Sequence, residues 1–145
     1  MMKVLQLGKF YPIKGGVEKV MEIFTEGLAE RGFPSDMLCV SRNGNTENVI
    51  LSEHARVLRT QKLAEIAATM ISPQLIWRLR CIRRKYDIIH VHHPDPMAAL
   101  ALFFSGYKGK VVLHWHSDIL KQKFLLRFFK PLQSWLIRRA DLILG

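Results

Sequence analysis

"KVLQLGKFYPIKGGVEKVMEIF", Lys3 to Phe24, carries the order on which the whole chain is built. Lys3–Gly8 is a short apolar run that reads as a strand. Val17, Val20, Met21, Phe24 and Leu28 then recur at helical spacing, and Gly32 follows Arg31 as a helix stop. Between strand and helix sits a glycine pair, Gly15-Gly16.

The same alternation continues outward from this unit. Asp36–Ser41 is a second apolar strand, Asn43–Asn45 a turn, and Ala55–Thr60 a third, alternating strand. Leu63–Ile71 reads as helical. Ser72 then caps a helix with Pro73 as its first residue, running to about Lys85. Asp87–His92 is a strand, Asp95-Pro96 opens a helix that Gly106 closes, and Lys110–His116 is another strand. A basic, aromatic-rich helix covers about Lys121–Arg139, and Asp141–Leu144 starts one more strand. Near-continuous apolar strands alternating with helices predict an α/β fold, a Rossmann-like parallel sheet with helices on both faces.

Composition narrows the class. A chain of 145 residues that is 49% hydrophobic suits one domain with a real core and excludes a disordered one. A formal net charge of +10 implies an anionic partner: nucleic acid, an anionic membrane or a phosphorylated ligand. Cys39 and Cys81 fall in no metal or redox spacing and read as reduced thiols of a cytosolic protein. The N-terminus enters a strand pattern without the charged leader and cleavage site of a signal peptide. The longest apolar run, Met97–Phe104, is too short to span a bilayer. The chain enters a strand at "ADLILG", so 145 residues are expected to be a piece of a longer protein.

Three features carry candidate chemistry. Gly15-Gly16 opens the first helix, whose terminus offers N–H groups and partial positive charge, and glycine admits a diphosphate without a Cβ in the way. An ordinary flexible loop is the competing reading, and neither G-x-G-x-x-G nor G-K-[ST] is present. His90, His92 and His93 cluster at the end of one strand, His114 and His116 at the end of the next. All but His90 and His114 are expected to reach the ligand-facing edge, with His114 and His116 on one face and His92 and His93 on opposite faces. His90 and His114 read as core residues. A zinc site from "HVHHPD" plus "HWHSD" is conceivable, but no cysteine partner fits and the helical zinc signature is missing, so no metal is expected. Finally, "LIWRLRCIRRKY" and "LKQKFLLRFFKPLQSWLIRRAD" set cations beside Phe and Trp, which suits either an anionic membrane surface or helices that pack one stripe and solvate the other. A nucleic-acid partner fits less well, since no binding module is visible.

Taken in order, "KVLQLGKFYPIKGGVEKVMEIFTEGLAERGF", "YDIIHVHHP", "VVLHWHSDI" and "RRADLIL" resemble the N-terminal domain of family-4 (group 1) glycosyltransferases of the GT-B fold over nearly the whole chain. The "WHSDI" block is similar to that of bacterial enzymes building lipopolysaccharide and other surface polysaccharides, mannosyltransferases among them. The resemblance implies that residues 1–145 are a Rossmann-like acceptor-side domain, with the donor-binding domain outside this chain. It implies transfer of a hexose from a sugar nucleotide such as a GDP- or UDP-sugar to a lipid-linked or polysaccharide acceptor, with retention, without metal or other cofactor, at the cytoplasmic face of a membrane. Carried over by motif, His116 is the expected catalytic group beside the donor sugar, and Gly15 and Gly16 are backbone contacts for the donor diphosphate. Asp118, Lys121 and Gln122 are expected to bind donor sugar or acceptor, and Tyr11, Lys14, His93 and Asp95 to line the acceptor side. A non-catalytic subunit that recruits a donor-binding partner is the alternative.

Overall fold

Strand and helix alternate along the computed structural model as β1 (Val4–Tyr11), α1 (Gly16–Glu30), β2 (Ser35–Ser41), β3 (Val49–Ser52), β4 (Ala55–Thr60), β5 (Ala64–Ile66), β6 (Thr69–Ile71), α2 (Pro73–Ile82), β7 (Ile88–His93), α3 (Pro96–Ser105), β8 (Lys110–Trp115), α4 (Lys123–Arg139) and β9 (Leu142–Leu144). The structure describes residues 2–11, 16–66, 69–116 and 123–145, with backbone alone at 9–11, 16–18, 66, 69, 123–126 and 128.

Among the described residues, seven strands form one sheet in the order β3-β4-β2-β1-β7-β8-β9. Every pairing in it is parallel except β3 with β4. The expected parallel sheet is therefore mixed: Val49–Ser52, to which the sequence reading gives no element, adds an antiparallel edge. Its four residues are half-exposed in alternation, so they lack the continuous apolar run of the inner strands.

β1 lies at the centre, and the chain leaves it in both directions, toward β2 and toward β7. Such a switch point opens a crevice at the carboxyl ends of the strands. Side chains alternate across the sheet. Leu5, Leu7, Leu38, Val40, Ile89, Val91, Val111 and Leu113 face α2, α3 and α4 in the larger core. Met37, Cys39 and Val57 face α1 through Met21 in a smaller cluster. The two thiols divide the same way: Cys39 is buried beneath α1, and Cys81 stands exposed on α2.

The helix limits follow local chemistry. Ser72 caps α2 by accepting from Leu75 N–H, with Pro73 first in the helix; the helix gives way to a 3-10 turn at Arg83–Lys85. Asp95 caps α3 and Gly106 closes it at φ +69°. Leu63–Ile71 departs from its helical reading. It forms the antiparallel β5–β6 pair, closed by a 2.8 Å bond from Leu63 N–H to the Ile71 carbonyl. A run this short carries too few turns for periodicity to separate helix from strand, and its β-branched residues Ile66, Thr69 and Ile71 favour the extended form.

Candidate active site

The carboxyl ends of β7 and β8 carry an array of four imidazoles on the α1 side of the sheet. Residues two apart on one strand share a face, so His90 and His92 of β7 line up with His114 of β8 and with His116 just past it. The β7–β8 ladder continues through a 3.0 Å bond from His116 N–H to the His93 carbonyl. The rings form two layers. In the lower, His90 Nε2 and His114 Nδ1 are 3.2 Å apart. In the upper, His92 Nδ1 and His116 Nε2 are 2.8 Å apart. The layers lie face to face, with centroids 4.3 Å apart for His90 over His92 and 4.0 Å apart for His114 over His116. Phe24 of α1 sets its ring edge against His90 and His114, at 5.0 and 5.8 Å. From the other side of the array, Gln6 of β1 places Oε1 2.7 Å from His92 Nε2.

Packing of this kind keeps the lower layer neutral. Burial, with His114 and His116 next to it, lowers the His90 pKa from 6.5 to about 4. Burial lowers His114 as well. His90, His92 and His114 each bring a ring nitrogen within 4.8 Å of the others, the spacing of a three-histidine metal site. Their lone pairs lie in the ring planes, however, and the planes of His90 and His92 are stacked at 21°. Stacked rings cannot aim at one ion without rotating, so the array is suited to hydrogen bonding rather than to tetrahedral coordination.

The expected site residues fall into three groups. His116 is at the array, at the end of the sheet where Gly16 begins α1 on the neighbouring side of β1. His93 turns to the opposite face. It is buried and stacks on Trp115 at 3.9 Å, with Phe129 of α4 at 6.1 Å, so its ring lies across the sheet from that of His116 although the two backbones are bonded. His92 is buried too, although both it and His93 were expected at the ligand-facing edge. Asp95 spends Oδ1 on the Met97 and Ala98 N–H groups, 3.1 and 3.2 Å away, as the α3 cap. Tyr11 ends β1. Gly15, Lys14, Asp118, Lys121 and Gln122 lie outside the described residues.

Two residues of the site escaped the sequence. Gln6 is fully buried in the middle of an apolar strand and holds His92; its one signal was a polar residue inside "VLQLG". Gly8 has φ +136°, and a Cβ there would stand 3.1 Å from Asp95 Oδ2 and 3.7 Å from Ala98 Cβ. Glycine is thus what lets β1 pass close to the start of α3 in a conformation L side chains rarely adopt.

Comparison with known proteins bears on the family and the fold. The family model Glycosyltransferase Family 4 matches residues 14–145. The chain is 34% identical to the O-antigen chain mannosyltransferase C of Escherichia coli, over 99% of this chain and 39% of that one. It is 28% identical to the D-rhamnosyltransferase WbpZ of Pseudomonas aeruginosa, over 99% of this chain and 38% of that one. It therefore spans less than two-fifths of the length of these relatives. Among solved structures, sucrose-phosphate synthase from Thermosynechococcus elongatus superposes with a TM-score of 0.66 at 15% identity, over 99% of this chain and 42% of that one. HepE of Anabaena, solved in complex with UDP, superposes with a TM-score of 0.59 at 17% identity, over 98% and 37%.

Proposed function

The chain belongs to glycosyltransferase family 4, and from that premise we propose that it is the acceptor-side domain of a retaining hexosyltransferase of surface-polysaccharide synthesis. The donor is a sugar nucleotide, with mannose the leading sugar, and the acceptor is a lipid-linked or polysaccharide glycan. The relatives that act in O-antigen assembly and rhamnosyl transfer support this reading. The observation that carries it furthest is the position of His116, hydrogen-bonded into the imidazole array at the carboxyl ends of the strands.

Transfer builds negative charge on the departing diphosphate and oxocarbenium character on the sugar. Fixed N–H groups at the start of α1, around Gly16, stabilise the first charge without reorganising. His116, beside a neutral array, hydrogen-bonds a sugar hydroxyl and tolerates the second. Holding the acceptor hydroxyl at the anomeric carbon is the positioning task of the crevice. Most of the donor site belongs to a second domain beyond these residues.

The outer helical face supports a membrane-side setting. Trp77, Phe103, Phe104 and Ile137 are exposed there among Arg80, Arg84, Lys130 and Arg138. No described helix is long and apolar enough to cross a bilayer. We infer reversible binding to anionic lipid at the cytoplasmic face.

The test is to incubate the full-length protein with a panel of GDP- and UDP-sugars and determine the anomeric configuration of the product by NMR. Transfer with retention is expected, lost in Gly16→Val while the fold persists. Neither transfer nor donor hydrolysis with any sugar would defeat the reading, and a large drop in Tm for Gly16→Val would mark that glycine as structural. Co-sedimentation with anionic but not neutral vesicles, weakened by salt, is the expected membrane result.

A further inference from the structure

Hydrogen bonding within the array has a direction, and the direction begins at a buried residue of β1. Gln6 sits at 0% exposure in β1, where neighbouring Leu5 and Leu7 are core residues. Its Nε2 has no hydrogen-bond partner among the described residues. A buried donor without a partner is a cost to the fold that an apolar side chain would avoid. What the amide supplies is an acceptor, Oε1, 2.7 Å from His92 Nε2.

A carboxamide oxygen can only accept, so His92 must carry its proton on Nε2. Neutral His92 then offers a lone pair at Nδ1, and His116 Nε2, 2.8 Å away, is obliged to donate. The lone pair of His116 consequently belongs to Nδ1. The lower layer reinforces this: His114 stacks 4.0 Å beneath His116 at 17°, which opposes rotation of the upper ring.

We propose that Gln6 and His92 are positioning residues that hold His116 in its Nε2–H tautomer, the state in which it enters the proposed sugar chemistry. The inference rests on the proposed role of His116 in sugar transfer, but its first test needs no substrate.

With selectively 15N-labelled histidine, ring N–H correlation spectra of the protein at neutral pH read the tautomers directly. His92 and His116 are both expected protonated at Nε2 alone. A His116 proton on Nδ1, or His92 protonated at Nδ1, overturns the proposal. Gln6→Met should turn the two sharp tautomers into mixtures. In the full-length enzyme the same variant should lower kcat about 10-fold, the weight of one hydrogen bond, with KM within about twofold. His92→Asn, which returns an acceptor near the Nδ1 position, should retain more kcat than His92→Leu; equal losses overturn the positioning role. If Gln6→Met fails to fold, the wild-type spectrum and the His92 pair still decide. An absence of transfer activity would count against the proposed function alone, since the tautomers are measured without it.

Discussion

The two ends of the central strands are held by opposite chemistry. At the amino ends the ties are ionic. Buried Asp36 takes Arg56 at 3.1 Å, Lys3 at 3.7 Å and the Tyr86 hydroxyl at 2.6 Å. Asp87 accepts from the Lys3 N–H at 2.8 Å, and Asp141 accepts from Val111 N–H at 2.9 Å. At the carboxyl ends the ties are four stacked imidazoles, with burial keeping His90 neutral. The difference teaches that charge in this fold is paired where it only has to hold strands together. Groups that can take or give a proton are gathered instead at the end where sugar chemistry is proposed, bonded to one another through His90–His114 and His92–His116.

If the amino end is structural, damage there should appear in stability first. Asp36→Ala strands the Tyr86 hydroxyl and two cations, and is expected to cost about 3 kcal/mol, roughly 6–12 °C in Tm by calorimetry. Turnover per folded molecule should stay near wild type. A matching loss of turnover would break the division.

His116→Ala is the converse. Turnover should fall on the order of 100-fold, with unfolding free energy within about 1 kcal/mol of wild type because the ring is only half-buried. Equal damage to both would make it a structural histidine.

A smaller effect is expected in acid. The unfolded chain protonates His90 near 6.5, while the fold keeps it neutral until about 4. Stability should therefore decline as pH falls from about 6.5 to about 4, and His114 adds in the same direction. His90→Phe, which keeps a ring among His92, His114 and Phe24, should flatten that decline in urea titrations at pH 7 and pH 5. An unchanged slope would mean that His90 carries no acid liability.

The smallest effect belongs to Asp141. Its pKa is lowered chiefly by the Val111 N–H, with Lys110 and Arg139 assisting. That contribution is present above about 3.8 and is lost as pH falls through the lower folded value. The carboxylate is exposed, so Asp141→Asn should move the acid-unfolding midpoint less than any change above.

Much of this was legible in the sequence because the signals were local. Apolar strands, Ser72-Pro73, Asp95-Pro96 and Gly106 specify their own conformations, and each element formed where its residues placed it. Strand alternation also put His114 and His116 on one face and separated His92 from His93. What stayed hidden depended on partners far along the chain. Gln6 and His92 are 86 positions apart, and nothing near either residue announces the other. The helical reading of Leu63–Ile71 failed, and Val49–Ser52 carried no signal, for a different reason: short segments take their form from a neighbouring strand, not from their own periodicity.

The unequal burial of the two thiols has a practical consequence. Cys39 lies under α1 with its pKa raised by burial to about 12, so it remains a protonated, unreactive thiol. Cys81 is exposed on α2. A maleimide dye should thus attach at one helix, on the far face of the sheet from the imidazole array, in the unaltered sequence. Within residues 1–145, that fluorophore would report approach to a lipid surface from α2.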